Sequence, residues 1–92
     1  MNEEQHLLTI LIEECAELQQ AATKIQRFGA DSRNNKDNLQ EEFNQLLAVA
    51  KILDAESDLD LWESQKIMNQ KIEKVEHYRQ ISKKLGLLKD EN

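Results

Sequence analysis

The stretch "LIEECAELQQAATKIQRFG", Leu11 to Gly29, decides how this chain is read. Its apolar residues recur at the spacing of an α-helix, which turns about 100° per residue. Leu7, Leu8, Leu11, Cys15, Leu18, Ala22 and Ile25 make one broad stripe. Glu14 falls inside it, among Leu7, Ile10, Leu18, Ala21 and Ile25, whereas Glu17 sits at the edge beside Ile10 and Phe28 and Glu13 points further out. Glu14 and Glu17 are three residues apart and therefore stand one turn from each other on the same side. A helix that puts carboxylates beside the surface it has to bury needs a reason, because an isolated buried charge is costly.

Working outward, Gly29 closes this first helix, which is expected over roughly residues 3–28, and "ADSRNNKD" follows as a polar loop. Asn38 with Glu41 three residues on resembles a capping box, so the second helix should run from about 39 to 54. Asp60 and Glu63 repeat that signal, which places the third helix at about 61–84 with Gly86 just beyond it. The short "AESDLD" connection implies that the second and third helices are neighbours. The closing "LLKDEN" is expected to fray or to pack on a partner. The chain has no Pro, two Gly and 33% charged residues, a composition that favours long helices and leaves little for sheets. An all-α helical bundle of about three helices follows, as a single domain over 1–92. A chain this short buries only about 60% of the surface its unfolded form exposes. Association into a homo-oligomer is therefore expected.

The net charge of −6 argues against a surface for a nucleic acid polymer, which calls for a basic face or stripe. No long apolar run suggests a membrane segment, and the lone Cys15 rules out an internal disulfide framework and reads as core packing. A reducing, cytoplasmic setting fits these features. His6 and His77 lie in different helices without ligand spacing and read as surface or core-edge residues, while Trp62 and Tyr78 read as packing residues.

The second helix repeats the pattern of the first. Leu39, Phe43, Leu46, Ala50 and Leu53 form its stripe, Glu42 is lodged between Leu46, Val49 and Leu53, and Gln45 lies at the edge. Glu41 and Asn44 fall on the polar side. On the third helix Leu61, Ile67, Met68, Ile72, Val75 and Tyr78 form the stripe, with Lys71 inside it and Lys74 near its edge. Taken singly, each of these charges reads as part of a solvated helix face. Taken together, carboxylates on two helices repel unless a cation neutralises them, and facing carboxylate pairs are a geometry with which bundles hold metal ions. All-oxygen ligands select hard cations, so Mg²⁺ or Mn²⁺ is implied rather than zinc.

The segments "EECAE" (13–17) and "EEFNQLLAV" (41–49) resemble the EExxE…ExxD signature of the MazG-like nucleotide pyrophosphohydrolases, an all-α group that also includes dimeric dUTPases. The flanking "HLLTILIEECAELQQAATKIQRFG" and "KVEHYRQISKKLG" are similar to small members of the kind often carried by phages. The resemblance implies a helical bundle that forms a homodimer or a dimer of dimers. It also implies cleavage of nucleoside triphosphates, ribo or deoxy, to a monophosphate and pyrophosphate. By position, Glu14 and Glu17 match the first metal ligands and Glu42 the Glu of ExxD. The Asp of that motif falls on Gln45, a departure that leaves open a catalytically weakened module that binds a nucleotide or a protein partner. Glu13 or Glu17 would accept the proton of the attacking water. Lys71 and Lys74, with Lys24, Arg27 or Arg33 as further candidates, would hold the outer phosphates.

Overall fold

The computed structural model describes residues 1–61 and 63–89, and it is all-α. Its helices are α1 (Glu3–Phe28), α2 (Asn35–Glu56) and α3 (Gln65–Lys84). The chain forms two compact units, Met1–Leu61 and Trp62–Asn92. Among the described residues, no helix is long and apolar enough to cross a membrane.

In the first unit, α1 starts from a reciprocal cap. Asn2 Oδ1 accepts from the Gln5 amide at 2.8 Å, and Gln5 Oε1 accepts from the Asn2 amide at 2.9 Å. Two of the donors that every helix N-terminus leaves over are thus satisfied. Glu3 and Glu4 in the first turn and Arg27 in the last complement the helix dipole. The helix closes at Gly29, whose φ of 89° is one that a side chain would resist and whose amide donates to Ile25 O.

The second helix begins four residues earlier than the Asn38/Glu41 pattern suggests, so Asn35, Lys36 and Asp37 belong to α2 and not to the loop. The reason is tertiary. Arg33 and Asn34 take left-handed backbone angles, φ 53° and 58°, which reverse the chain at once. Asn35 is then buried, and its side-chain amide donates to Gly29 O at 3.1 Å and Lys24 O at 3.4 Å. The end of α1, rather than a capping box, anchors the start of α2.

Joined by this turn, α1 and α2 pack against each other as an antiparallel hairpin. Leu7, Leu11, Glu14, Leu18, Ala21 and Ile25 of α1 are buried or half-buried, as are Asn35, Leu39, Glu42, Leu46, Val49 and Leu53 of α2. Both series alternate steps of four and three, the spacing of a coiled-coil seam. The seam is turned slightly from the stripes expected above. Cys15 and Ala22 are exposed while Ala21 is 1% exposed, and Phe43 is half exposed. Cys15 is therefore not a core residue, and Glu14 and Glu42 lie nearer the centre of the packed face than the stripe residues Cys15 and Phe43.

In the second unit, α3 begins at Gln65 rather than 61. Ser64 Oγ caps it by accepting from the Ile67 amide, and Leu61 and Glu63 precede the helix. Asp60 has a φ of 41° and plays no capping part. The α3 stripe is present, but Ile67, Met68, Ile72, Val75 and Tyr78 are all exposed, so Tyr78 is not packed in a core. The Tyr78 ring meets His77 edge-on at 5.7 Å. Both histidines are exposed. Trp62 and the last three residues of "LLKDEN" lie outside the described residues.

Removing the buried Asn35 amide takes away both of its bonds to the end of α1, to Gly29 O and Lys24 O. Asn35→Ala should lower the unfolding free energy by about 1–3 kcal/mol. Urea denaturation followed by circular dichroism checks this, and an unchanged midpoint would show that the turn is held by its backbone alone.

Candidate metal centre

The hairpin seam brings Glu14, Glu17 and Glu42 together: one carboxylate oxygen of each lies within 4.8 Å of the others. Two glutamates come from one helix, a turn apart, and the third from the facing helix. Glu14 and Glu42 are half-buried in the seam and Glu17 is exposed beside them. The backbone is regular here, so helical phase alone aims the side chains.

The hydrogen-bonding state of these carboxylates is unusual for a packed surface. Glu14 Oε2 and Glu42 Oε2 are both shut off from solvent, and neither has a hydrogen-bond partner in the protein. Polar atoms in that condition are rare, since each has lost water without replacement. The electrostatics agree. Loss of hydration, then the charges of Glu17 and Glu13, raise the pKa of Glu14 above the ordinary carboxylate value. Glu42 is raised as well, first by loss of hydration, then by Glu17, with which it can share a hydrogen bond only when a proton is taken up, and by the charges of Glu17, Glu14 and Glu41. No cationic side chain enters either balance. The residues fit a hard divalent cation: the donors are all oxygen, they come from two rigid helices, and two of them have no other partner.

The remaining residues singled out by sequence are placed as follows. Glu13 is exposed on α1, and its charge reaches Glu14. Gln45 is exposed, and its amide nitrogen donates to Glu41 Oε1 at 3.4 Å, a long bond that turns its nitrogen toward the polar side. Lys71 and Lys74 are exposed on α3, in the second unit. Arg27 is exposed at the end of α1 with its guanidinium 5.3 Å from the Phe28 ring centre.

The same hairpin carries a feature that helical spacing did not reveal. A cleft of about 540 Å³ opens at the hairpin turn, lined on one side by Lys24, Phe28 and Arg33 and on the other by Asp37, Asn38 and Glu41. The Arg33 guanidinium stacks 4.7 Å from the Phe28 centre. The positive φ of Arg33 produces this contact, and the run "RNN" was its only trace in the sequence.

Comparison of the chain with protein-family models, with curated proteins and with solved structures finds no match.

A carboxyl whose folded pKa is raised holds a proton that the unfolded chain would release. The stability it contributes is present below the unfolded value of 4.5 and is lost as pH rises through the higher folded value. The metal-free protein should therefore melt at a lower temperature at pH 8 than at pH 4.5, the upper end of the range in which the contribution is present. Glu14→Gln and Glu42→Gln should each flatten that difference and raise the melting point at pH 8. Thermal scans of the three proteins in EDTA decide the matter, and a pH dependence identical in all three would remove the triad from the explanation.

Proposed function

We propose that this chain is a divalent-metal-dependent nucleotide pyrophosphohydrolase of the MazG-like kind, converting a nucleoside triphosphate to the monophosphate and pyrophosphate. One observation carries the reading. Two glutamates from facing helices occupy the packing seam with an oxygen each that is buried and unpartnered, and a third carboxylate from the EExxE-like segment stands within 4.8 Å. A plain helical oligomerisation module would have leucines at those positions.

In this reading Glu14, Glu17 and Glu42 hold Mg²⁺, or Mn²⁺ in its place. Bound there, the ion would supply charge neutralisation for the phosphate chain and polarisation of the phosphorus to be attacked. The protein's own groups divide the remaining work. Glu17, the exposed member of the triad, or Glu13 beside it, accepts the proton of the attacking water. Cationic side chains would meet the outer phosphates; of the candidates from the sequence, Arg27 belongs to the unit that holds the triad, and Lys71 and Lys74 belong to the second unit.

Gln45 favours a second reading. It supplies a neutral amide where the resembled motif has a carboxylate, and that amide leans toward Glu41. A site with three carboxylates attracts a second cation less than a site with four, so the chain would bind nucleotide and turn it over weakly or not at all. The two readings separate on a single assay. Each (d)NTP is incubated with Mg²⁺ and then with Mn²⁺, and pyrophosphate is measured. Hydrolysis that disappears in Glu14→Gln and Glu42→Gln supports the enzyme, and nucleotide binding without pyrophosphate supports the module. Gln45→Asp should tighten Mg²⁺ binding about tenfold, or about 1.4 kcal/mol, and raise pyrophosphate release. No change in either quantity would place Gln45 outside the ion's reach.

The reading includes self-association, as a homodimer or a dimer of dimers, in a reducing cytoplasmic setting that suits the exposed Cys15. Only Ala21, Leu53 and Asn35 are buried among the described residues, while Ile12, Phe43, Leu47 and Ile52 of the hairpin are exposed. An apolar surface of this kind is covered in a stable protein. Light scattering should give a mass at least twice that of the chain, and a folded monomer at micromolar concentration would contradict the assembly.

A further inference from the structure

The cleft at the hairpin turn belongs to the same unit as the triad, and it borders Glu41, the residue next to Glu42. Lys24 follows Glu17 by seven residues on α1, two helical turns or about 11 Å along the axis. A phosphate chain bound at the triad together with the stem of a lysine covers such a span. Neither Lys24 nor Arg33 makes an ion pair among the described residues, so both remain available to an anion. Arg33 is also held in place. Its backbone is fixed at φ 53°, in a conformation that side chains other than glycine's resist, and its guanidinium rests on Phe28 at 4.7 Å. A guanidinium stacked on a ring keeps its N–H edge free to donate, the arrangement with which arginine grips phosphate oxygens in pairs.

We infer that Lys24 and Arg33, positioned by Phe28, form the phosphate-binding end of the site and take the outer phosphates of the substrate's phosphate chain. This inference rests on the nucleotide reading above and names the residues that would serve it within the hairpin itself. Asp37 and Glu41 on the α2 wall repel an anion, so the phosphates lie along the α1 side of the cleft. Arg27 does not line this cleft; with Lys24, Gln20 and Thr23 it lines a neighbouring groove, so Lys24 borders both.

The test uses the full chain in EDTA with tripolyphosphate as the probe, followed by calorimetry. The parent should bind it. Arg33→Gln and Lys24→Gln should each weaken binding about tenfold, the loss expected for one charged hydrogen-bonding partner. Arg33→Gly guards against a folding artefact, because glycine suits the positive φ: it should raise the melting temperature and still lose the affinity. Equal affinity in Arg33→Gly and Lys24→Gln, or no binding to the parent, overturns the inference. The nucleotide assay keeps its failure separate from that of the hydrolase reading. If no nucleotide is hydrolysed while tripolyphosphate binding still requires Arg33, the phosphate site stands and the hydrolase falls. If Arg33→Gly hydrolyses nucleotides with the parent's KM, the hydrolase stands and the phosphate site falls.

Discussion

Two carboxylates packed among leucines set the terms for the whole first unit. Glu14 and Glu42 occupy positions in the α1/α2 seam where Leu, Ile or Val would bury more apolar surface, and each keeps one oxygen without water or partner. Burying a carboxylate in that way opposes folding unless the group takes up a proton or a cation. The raised pKa of both residues is the proton's answer to the problem. A divalent ion would be the other, replacing repulsion by coordination. Any cation that binds the folded hairpin and not the open chain would stabilise it by mass action.

The turn makes the seam possible. A shift of one residue in α2 would rotate Glu42 by about 100° and carry it out of the packed face. The register depends on where α2 starts, and the consecutive left-handed residues Arg33 and Asn34 with the buried Asn35 amide fix that start. The same left-handed Arg33 lays its guanidinium on Phe28 and shapes one wall of the cleft. One short loop thus sets both the depth of the acidic triad and the position of the cations in the cleft.

What could be read from the sequence follows from which forces are local. The α1 boundaries were legible because amphipathic spacing and Gly29 mark them within the helix itself. The depth of Glu14 and Glu42 was legible because helical phase is a property of the backbone. The start of α2 was not, since Asn38 and Glu41 carry a local capping pattern that the longer-range bonds of Asn35 override. Cys15 was misplaced for a related reason. A wheel drawn at 3.6 residues per turn gives a broad stripe, whereas packing against a second helix selects the narrower seam that runs through Glu14 and Ala21. The start of α3 was displaced in the same way, by Ser64 acting as the cap in place of Asp60. The cleft was hidden altogether, because it depends on the φ angle of an arginine that no spacing rule anticipates.

The most direct test of this account is a titration of the metal-free protein with Mn²⁺, followed by electron paramagnetic resonance at neutral pH. If the unpartnered oxygens of Glu14 and Glu42 await a cation, free Mn²⁺ signal should be lost as ions bind to the protein, and Glu14→Gln and Glu42→Gln should each abolish that loss while keeping full helicity. Mn²⁺ that stays free in the presence of the parent protein, or binding that survives both substitutions, would contradict the claim that the seam is built around a metal ion.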